Sequence, residues 1–316
     1  MVKKDTMNNF LPKVSVVIPT YNRPQFIEQA IKSVLNQTYK NFELIIIDSS
    51  PNDETTKIVR SFNDQRIKYI KNKTKTILPI GRNQGVKESS PHSKYIAFLD
   101  DDNEFLPQFL EKSIQRLEEN KKLIGVVPAI EHRFDDGTKI GTGADVHEYW
   151  NTGLGNGAVL RKSLFTEKNI WFDEKLLRSE EWDFGIRVLK NHKVESIPEA
   201  LQIYHHHPIF RKSTLSTVPL PLEAIDYLFQ KHLSYYQGLG REPLSVFYHW
   251  TGKLYSRGGH VTKGRNLFLK AFLLYPRPVY VAYYFFWLFP KFAQNFYLEN
   301  LLHKILKFYG KFKKQS

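Results

Sequence analysis

Four short stretches of the chain are apolar without interruption. "VSVVIPT" (Val14–Thr20) is the first, and "LIIID" (Leu44–Asp48), "YIAFLD" (Tyr95–Asp100) and "IGVVPAI" (Ile124–Ile130) repeat its character. Runs that are apolar throughout, rather than at every second position, suit strands covered on both faces, as in parallel sheets. Between them the period changes to that of a helix. Phe26, Ile27, Ala30, Ile31, Val34 and Leu35 recur at helical spacing behind "YNRP", with Asn22 as the candidate cap and Pro24 in the first turn. Phe105, Leu106, Phe109, Leu110, Ile114 and Leu117 predict a second such helix. Strand–helix–strand order predicts right-handed crossovers, an α/β sandwich and a mostly parallel central sheet. In such sheets the ligand crevice lies beyond the carboxyl ends of the strands, where Asp48 and Asp100–Asp102 emerge.

From about Leu222 the pattern is helical without strand signals. "PLEAIDYLFQKHLSYYQ", "PLSVFYHWTGKLYSRGG" and "VTKGRNLFLKAFLLYP" each carry helical spacing and a Gly or Pro stop. The aromatic segment "VYVAYYFFWLFP" (Val279–Pro290) follows, then Lys304, Lys307, Lys311, Lys313 and Lys314. These patterns predict a first domain over residues 1–217 and a helical region over 218–316.

Composition adds less. The net charge of +14 favours anionic partners: nucleotide phosphates, acidic lipid headgroups or nucleic acid. The basic residues are spread along the chain and no nucleic-acid motif appears, so no nucleic acid is expected. There is no cysteine, which excludes a disulfide framework, a thiolate metal site and a cysteine nucleophile. "MVKKDTMNNFLPK" lacks the apolar core of a signal peptide, and no apolar run reaches the ~18–20 residues that span a bilayer. A cytoplasmic protein is the expectation.

The candidate chemistry centres on "FLDDDNEF". Three adjacent carboxylates at a strand end read either as a solvated turn or as a site for a hard cation. Mg²⁺ and Mn²⁺ take oxygen ligands, commonly one or two carboxylates with phosphate oxygens and water. "SEEWDFGIRV" predicts a helix with acids in its first turn, where acids also serve simply to match the helix dipole. "HHHP" (His205–Pro208) invites a metal reading, but neighbouring residues on a strand face opposite ways, so all three histidines cannot converge on one ion. "GNGAVLR" lacks the Lys-Ser/Thr ending of a phosphate loop, so an ATPase reading fails.

"VSVVIPTYNRPQFIEQAIKSVLNQTYKNFELIIID" resembles the opening of family 2 glycosyltransferases. "GRNQG" (Gly81–Gly85), "IAFLDDDNEFLP", "GNGAVLRKSLF" (Gly155–Phe165), "FDEKLLRSEEWDF" (Phe172–Phe184) and "IYHHHP" (Ile203–Pro208) resemble that family's later landmarks, in order, from about Val14 to Pro208. The resemblance implies the GT-A fold. It implies an inverting enzyme that transfers a sugar from a nucleotide-sugar donor to a saccharide or lipid-linked acceptor. It also implies a divalent cofactor, Mn²⁺ or Mg²⁺.

Carried onto this sequence, the resemblance assigns the metal and diphosphate to Asp100 and Asp102, with Asp102 the direct ligand and His207 close by. Asp101 falls on the nucleotide side. Glu181 stands at the position of the general base, with Glu180 and Asp183 as the alternatives. Tyr21 lies along the nucleobase, with the backbone of Pro19 and Thr20 nearby. Asp48 ends the second strand; Ser49 stands where many relatives have a second acid that reads the base. Arg82 is a cation for the diphosphate or base, with Gly81 and Gly85 easing a turn. Asp53 caps the next helix. Trp150 and Trp182 are sugar platforms or core residues. The aromatic, lysine-rich end packs on its neighbours or meets an anionic membrane surface, at the inner face of the cell membrane.

Three rival readings remain at this stage. A sugar nucleotidyltransferase needs a Gly-rich basic loop after the first strand, which "PTYNRP" lacks. A non-catalytic nucleotide- or nucleic-acid-binding protein would draw on the positive charge. An inactive relative would follow if Ser49 and Glu181 are disabling departures.

Overall fold

The computed structural model describes residues 11–142, 154–207 and 220–288. They fall into two compact units, one within Met1–Arg211 and one within Lys212–Ser316. Trp150, Pro208, Pro290 and the lysines from Lys304 to Lys314 lie outside the described residues.

In the first unit, β1 (Val14–Thr20), α1 (Pro24–Leu35), β2 (Phe42–Asp48), α2 (Glu54–Ser61), β3 (Ile67–Lys71), α3 (Leu78–Lys87) and β4 (Tyr95–Phe98) alternate as the sequence predicted. The strands β3, β2, β1 and β4 pair in parallel, in that order. The sheet then continues through β5 (Asn103–Phe105), α4 (Phe109–Glu119), β6 (Leu123–Phe134), β7 (Lys139–Thr142), β8 (Val159–Arg161), α5 (Ser163–Thr166), α6 (Glu180–Leu189) and β9 (Lys193–His206). Its order is β3-β2-β1-β4-β8-β6-β9-β5, with β7 on β6. Antiparallel pairs enter at β8, whereas β6 and β9 are parallel.

The uninterrupted apolar runs are explained by cover on both faces. Val14, Val16 and Ile18 pack with Ile27, Ile31 and Val34 of α1 and Leu110, Ile114 and Leu117 of α4. Val17, Ile45 and Ile47 point the other way, into Val86 of α3 and Phe184 and Val188 of α6. Alternate residues of one strand thus feed two cores.

Several local expectations are corrected. Asn22 does not cap α1: it takes a left-handed turn conformation (φ 53°), which asparagine tolerates, and Arg23 occupies the cap position before Pro24. Phe105 belongs to the short strand β5 rather than to the helix, which begins at Phe109. Gly81 and Gly85 lie inside α3, not in a turn. A Cβ on Gly85 would stand 2.2 Å from Val17 Cγ1, so this glycine lets the helix press onto β1. Asp53 sits at the cap position of α2, but its side chain makes no capping hydrogen bond.

The second unit contains α7 (Leu222–Leu239), α8 (Arg241–Arg257), α9 (Val261–Leu274) and α10 (Pro278–Phe286). Gly252 and Gly264 leave no room for a Cβ: it would meet Phe268 in the first case and Ser256 Oγ in the second. Phe268, Tyr283 and Trp287 form a buried aromatic cluster. Among the described residues no helix is long and apolar enough to cross a membrane.

Candidate active site

The carboxyl ends of β1, β2 and β4 bring Thr20, Asp48 and the three aspartates to the same edge of the sheet. Leu99 N–H still bonds to Val17 O, which extends β4 to the brink of Asp100. The loop 155–157 closes over this point. Asn156 Oδ1 accepts from the Asp100 backbone N–H (3.2 Å) and from Gln202 Nε2 (3.0 Å), and Gly157 N–H donates to Phe98 O.

Arg82 is the hub. Its side chain is 0% exposed. From α3 it donates to Asp100 Oδ1 (2.9 Å), Glu181 Oε1 (2.7 Å) and Glu180 Oε1 (3.2 Å). A Cβ on Gly155 would stand 2.5 Å from Glu181 Cγ and 2.9 Å from Arg82 Nη1, so the glycine lets the loop seal this clamp. Burial opposes the charge on Arg82, but Glu181, Asp100 and Glu180 hold the guanidinium above its ordinary pKa. Burial raises the pKa values of Asp100, Glu180 and Glu181, with Arg82 pulling each back toward ionisation.

A second arginine, which the sequence reading did not single out, serves the other two aspartates. Arg23 Nη1 lies 2.9 Å from Asp101 Oδ1, and Nη2 pairs with Asp102 Oδ2. Thr20 Oγ1 donates to Asp101 Oδ2 at 2.6 Å. Burial raises Asp101 above the usual carboxylate range while Arg23 opposes the rise. Nothing in "YNRP" announced this contact, which joins residues 79 positions apart.

The first turn of α6 holds Glu180, Glu181 and Asp183. Asp183 is buried and accepts two hydrogen bonds from Arg187. Glu180 is nearly buried. Glu181 keeps 25% of its side chain exposed. Trp182 is buried in the core.

The histidines divide as strand geometry requires. His205 Nε2 pairs with Glu104 Oε1 (2.6 Å), and His206 Nε2 lies 2.8 Å from His132 Nδ1. His207 stacks on Phe26 (4.5 Å between ring centres), and the Arg23 guanidinium lies 5.1 Å from the same ring. Burial lowers the pKa of His207.

Tyr21 is partly exposed, with Lys75 Nζ 4.5 Å from its ring centre. Asp48 is fully buried. Its Oδ2 accepts from Tyr69 OH (2.6 Å) and Lys71 Nζ (3.0 Å), and its Oδ1 from Ser50 N–H (2.7 Å). Ser49 Oγ instead meets Thr76 Oγ1 (2.6 Å) and Asn72 Nδ2 (3.2 Å), a neutral polar group that the sequence reading missed.

Among the described residues no group of three or more His, Asp or Glu side chains encloses a metal ion unaided. The donor set nonetheless suits a hard cation. Asp100 to Asp102, Glu180 and Glu181 place five carboxyl groups against two guanidiniums. The raised carboxyl pKa values express the cost of ionising them all. A divalent cation would offset that excess, with donor phosphates completing its shell.

The family profile described as "Glycosyl transferase family 2" matches residues 15–180. An uncharacterized glycosyltransferase of Methanocaldococcus jannaschii is 32% identical over 213 residues, covering 61% of this chain and 70% of that protein. The GalNAc(5)-diNAcBac-PP-undecaprenol beta-1,3-glucosyltransferase of Campylobacter jejuni is 38% identical over 112 residues, 34% of this chain and 36% of that one. The chain therefore spans only about a third of the second relative's length. The crystal structure of S. aureus TarS 1–349 in complex with UDP-GlcNAc has a TM-score of 0.56 at 15% identity, covering 86% of this chain and 78% of that one. That likeness shows the fold, the α/β sandwich of GT-A type that the motifs led us to expect.

Proposed function

The chain belongs to glycosyl transferase family 2 and is a glycosyltransferase, and on that premise we propose that it moves a sugar from a nucleoside diphosphate donor to an acceptor hydroxyl by direct, inverting displacement. The observation that carries this reading is the Arg82 clamp. One guanidinium holds Asp100, the first acid of the strand-end signature, together with Glu181, the base candidate. Direct displacement needs their two functions close together, because charge develops on the leaving diphosphate as a proton leaves the attacking hydroxyl.

Asp100 and Asp102 hold Mn²⁺ or Mg²⁺, with His207 brought near through Phe26. When bound, the ion supplies charge stabilisation for the departing nucleoside diphosphate. The remaining work falls to side chains. Glu181 takes the acceptor's proton on a carboxylate oxygen. Of the three acids in the first turn of α6 it is the one left accessible, because Asp183 is committed to Arg187 and Glu180 is buried. Arg82 orients Glu181 rather than the donor. Tyr21 offers its ring to the nucleobase beside the backbone of Pro19 and Thr20. Ser49, Thr76 and Asn72 offer neutral polar edges, while Asp48 and Asp101 buttress the loop from within.

The TarS complex with UDP-GlcNAc supports a nucleotide-sugar donor, and the printed name of the Campylobacter relative supports a lipid-linked saccharide acceptor. In the helical unit Leu269, Leu273, Phe285 and Leu288 are exposed, and the chain carries a net charge of +14. Both features suit peripheral contact of this unit, as a second domain, with the anionic inner face of the cell membrane.

The test is a thermal-shift panel of nucleoside diphosphates and nucleotide-sugars with and without Mn²⁺. Selective stabilisation that requires the cation is expected. Equal shifts with and without it would overturn the metal assignment, and no shift with any nucleotide would overturn the donor reading.

A further inference from the structure

Arg23 and Arg82 are the two guanidiniums among five clustered carboxyl groups, yet their situations differ. Arg82 has no exposed surface and is engaged by three acids, so a ligand cannot reach it without dismantling the clamp. Arg23 is 31% exposed and sits on the open side of the aspartate loop. Its flat face lies against Phe26, which is itself backed by His207. One nitrogen holds Asp101, a carboxylate already bonded by Thr20. The other holds Asp102, the residue to which the proposed function assigns the metal.

A guanidinium and a divalent ion on one carboxylate repel each other. The ion carries twice the charge, so Arg23 is the partner that must yield. A displaced guanidinium pivoting beside that ion would meet the diphosphate that the ion also binds, and its planar fork matches paired phosphate oxygens. Resting on the proposed function above, we propose that Arg23 and the divalent cation compete for Asp102, and that the released guanidinium binds the diphosphate of the donor. Arg23 thus serves the site in two successive roles, as a counter-ion and then as a donor ligand.

The two roles predict effects of opposite sign. Binding of Mn²⁺ alone to the full chain, followed by electron paramagnetic resonance, should tighten about three- to tenfold in Arg23→Ala, because a competing charge has gone. Binding of UDP, GDP and dTDP at saturating Mn²⁺, followed by calorimetry, should weaken at least tenfold for whichever nucleotide the unaltered protein prefers. Arg23→Lys keeps the charge without the fork. It should leave Mn²⁺ affinity near that of the unaltered protein and fall between the other two for the diphosphate, and it stands in should the alanine variant fold poorly. Loss of both affinities in parallel would mark a merely structural role and overturn the inference, as would two unchanged affinities. Failure of the unaltered protein to bind Mn²⁺ and any diphosphate would overturn the underlying reading along with it.

Discussion

Asp100 and Glu181 share a single donor, Nη2 of Arg82, at 2.9 and 2.7 Å. The pair comes from the end of β4 and the start of α6, and the bond fixes their separation. Arg82→Ala would leave Glu180, Glu181 and Asp100 without their common cation. Breaking a buried ion pair by removing one partner costs about 3–5 kcal/mol. Denaturant unfolding should show a loss of that size, larger than for Arg23→Ala at the more exposed position.

Glu181→Gln keeps the shape and the acceptor oxygen facing Arg82 but removes the proton-accepting carboxylate. Sugar transfer should fall by about 10²–10⁴-fold in kcat, while the Kd for the nucleoside diphosphate stays within about twofold on the same scale of argument. Steady-state kinetics alongside calorimetry checks both. Full activity in this variant would move the proton to Glu180 or Asp183.

Gly85→Ala tests the packing of α3 on β1. Alanine gains about 1 kcal/mol of helix propensity over glycine. Its Cβ, however, would lie 2.2 Å from Val17 Cγ1, and overpacking costs about 1–3 kcal/mol or more. The clash should win, so the variant unfolds at lower temperature. Val17→Ala in the same chain should recover part of the loss.

Glu118 provides a pH test away from the site. Hydrogen bonds from Lys121, Lys13 and Tyr95 hold its carboxyl below the usual range. A depressed folded-state pKa contributes stability above the unfolded value, and that contribution is lost as pH falls through the folded one. Glu118→Gln should therefore flatten the acid limb of the stability profile and leave its alkaline side unchanged, as read by thermal denaturation from pH 3 to 8.

The parts of the fold legible in the sequence are those with a local period. Val14–Thr20 and Leu44–Asp48 announced two-faced strands, and Phe26 to Leu35 announced α1. Glycine misled at Gly81 and Gly85, where close packing against β1 overrides its low helix propensity. The three-residue strand β5 carried too few positions to show a period. At the site, the acids were visible as a cluster and by resemblance, but their counter-ions were not. Arg23 reaches Asp102 across 79 positions and Arg82 reaches Glu181 across 99, contacts that only the folded sheet creates. The inward turn of Asp48 toward Tyr69 and Lys71 was equally invisible, since Lys71 becomes its neighbour through the pairing of β2 with β3.

The central claim is that Asp100, Asp102 and Glu181 form one cation-dependent sugar-transfer centre. Release of nucleoside diphosphate from a panel of nucleotide-sugars, measured with and without Mn²⁺ for the unaltered protein and for Asp102→Ala, tests it most directly. The account predicts release from one donor class that needs Mn²⁺ and disappears in Asp102→Ala while the variant's thermal unfolding stays cooperative. Undiminished release in Asp102→Ala, or release indifferent to the cation, would contradict it.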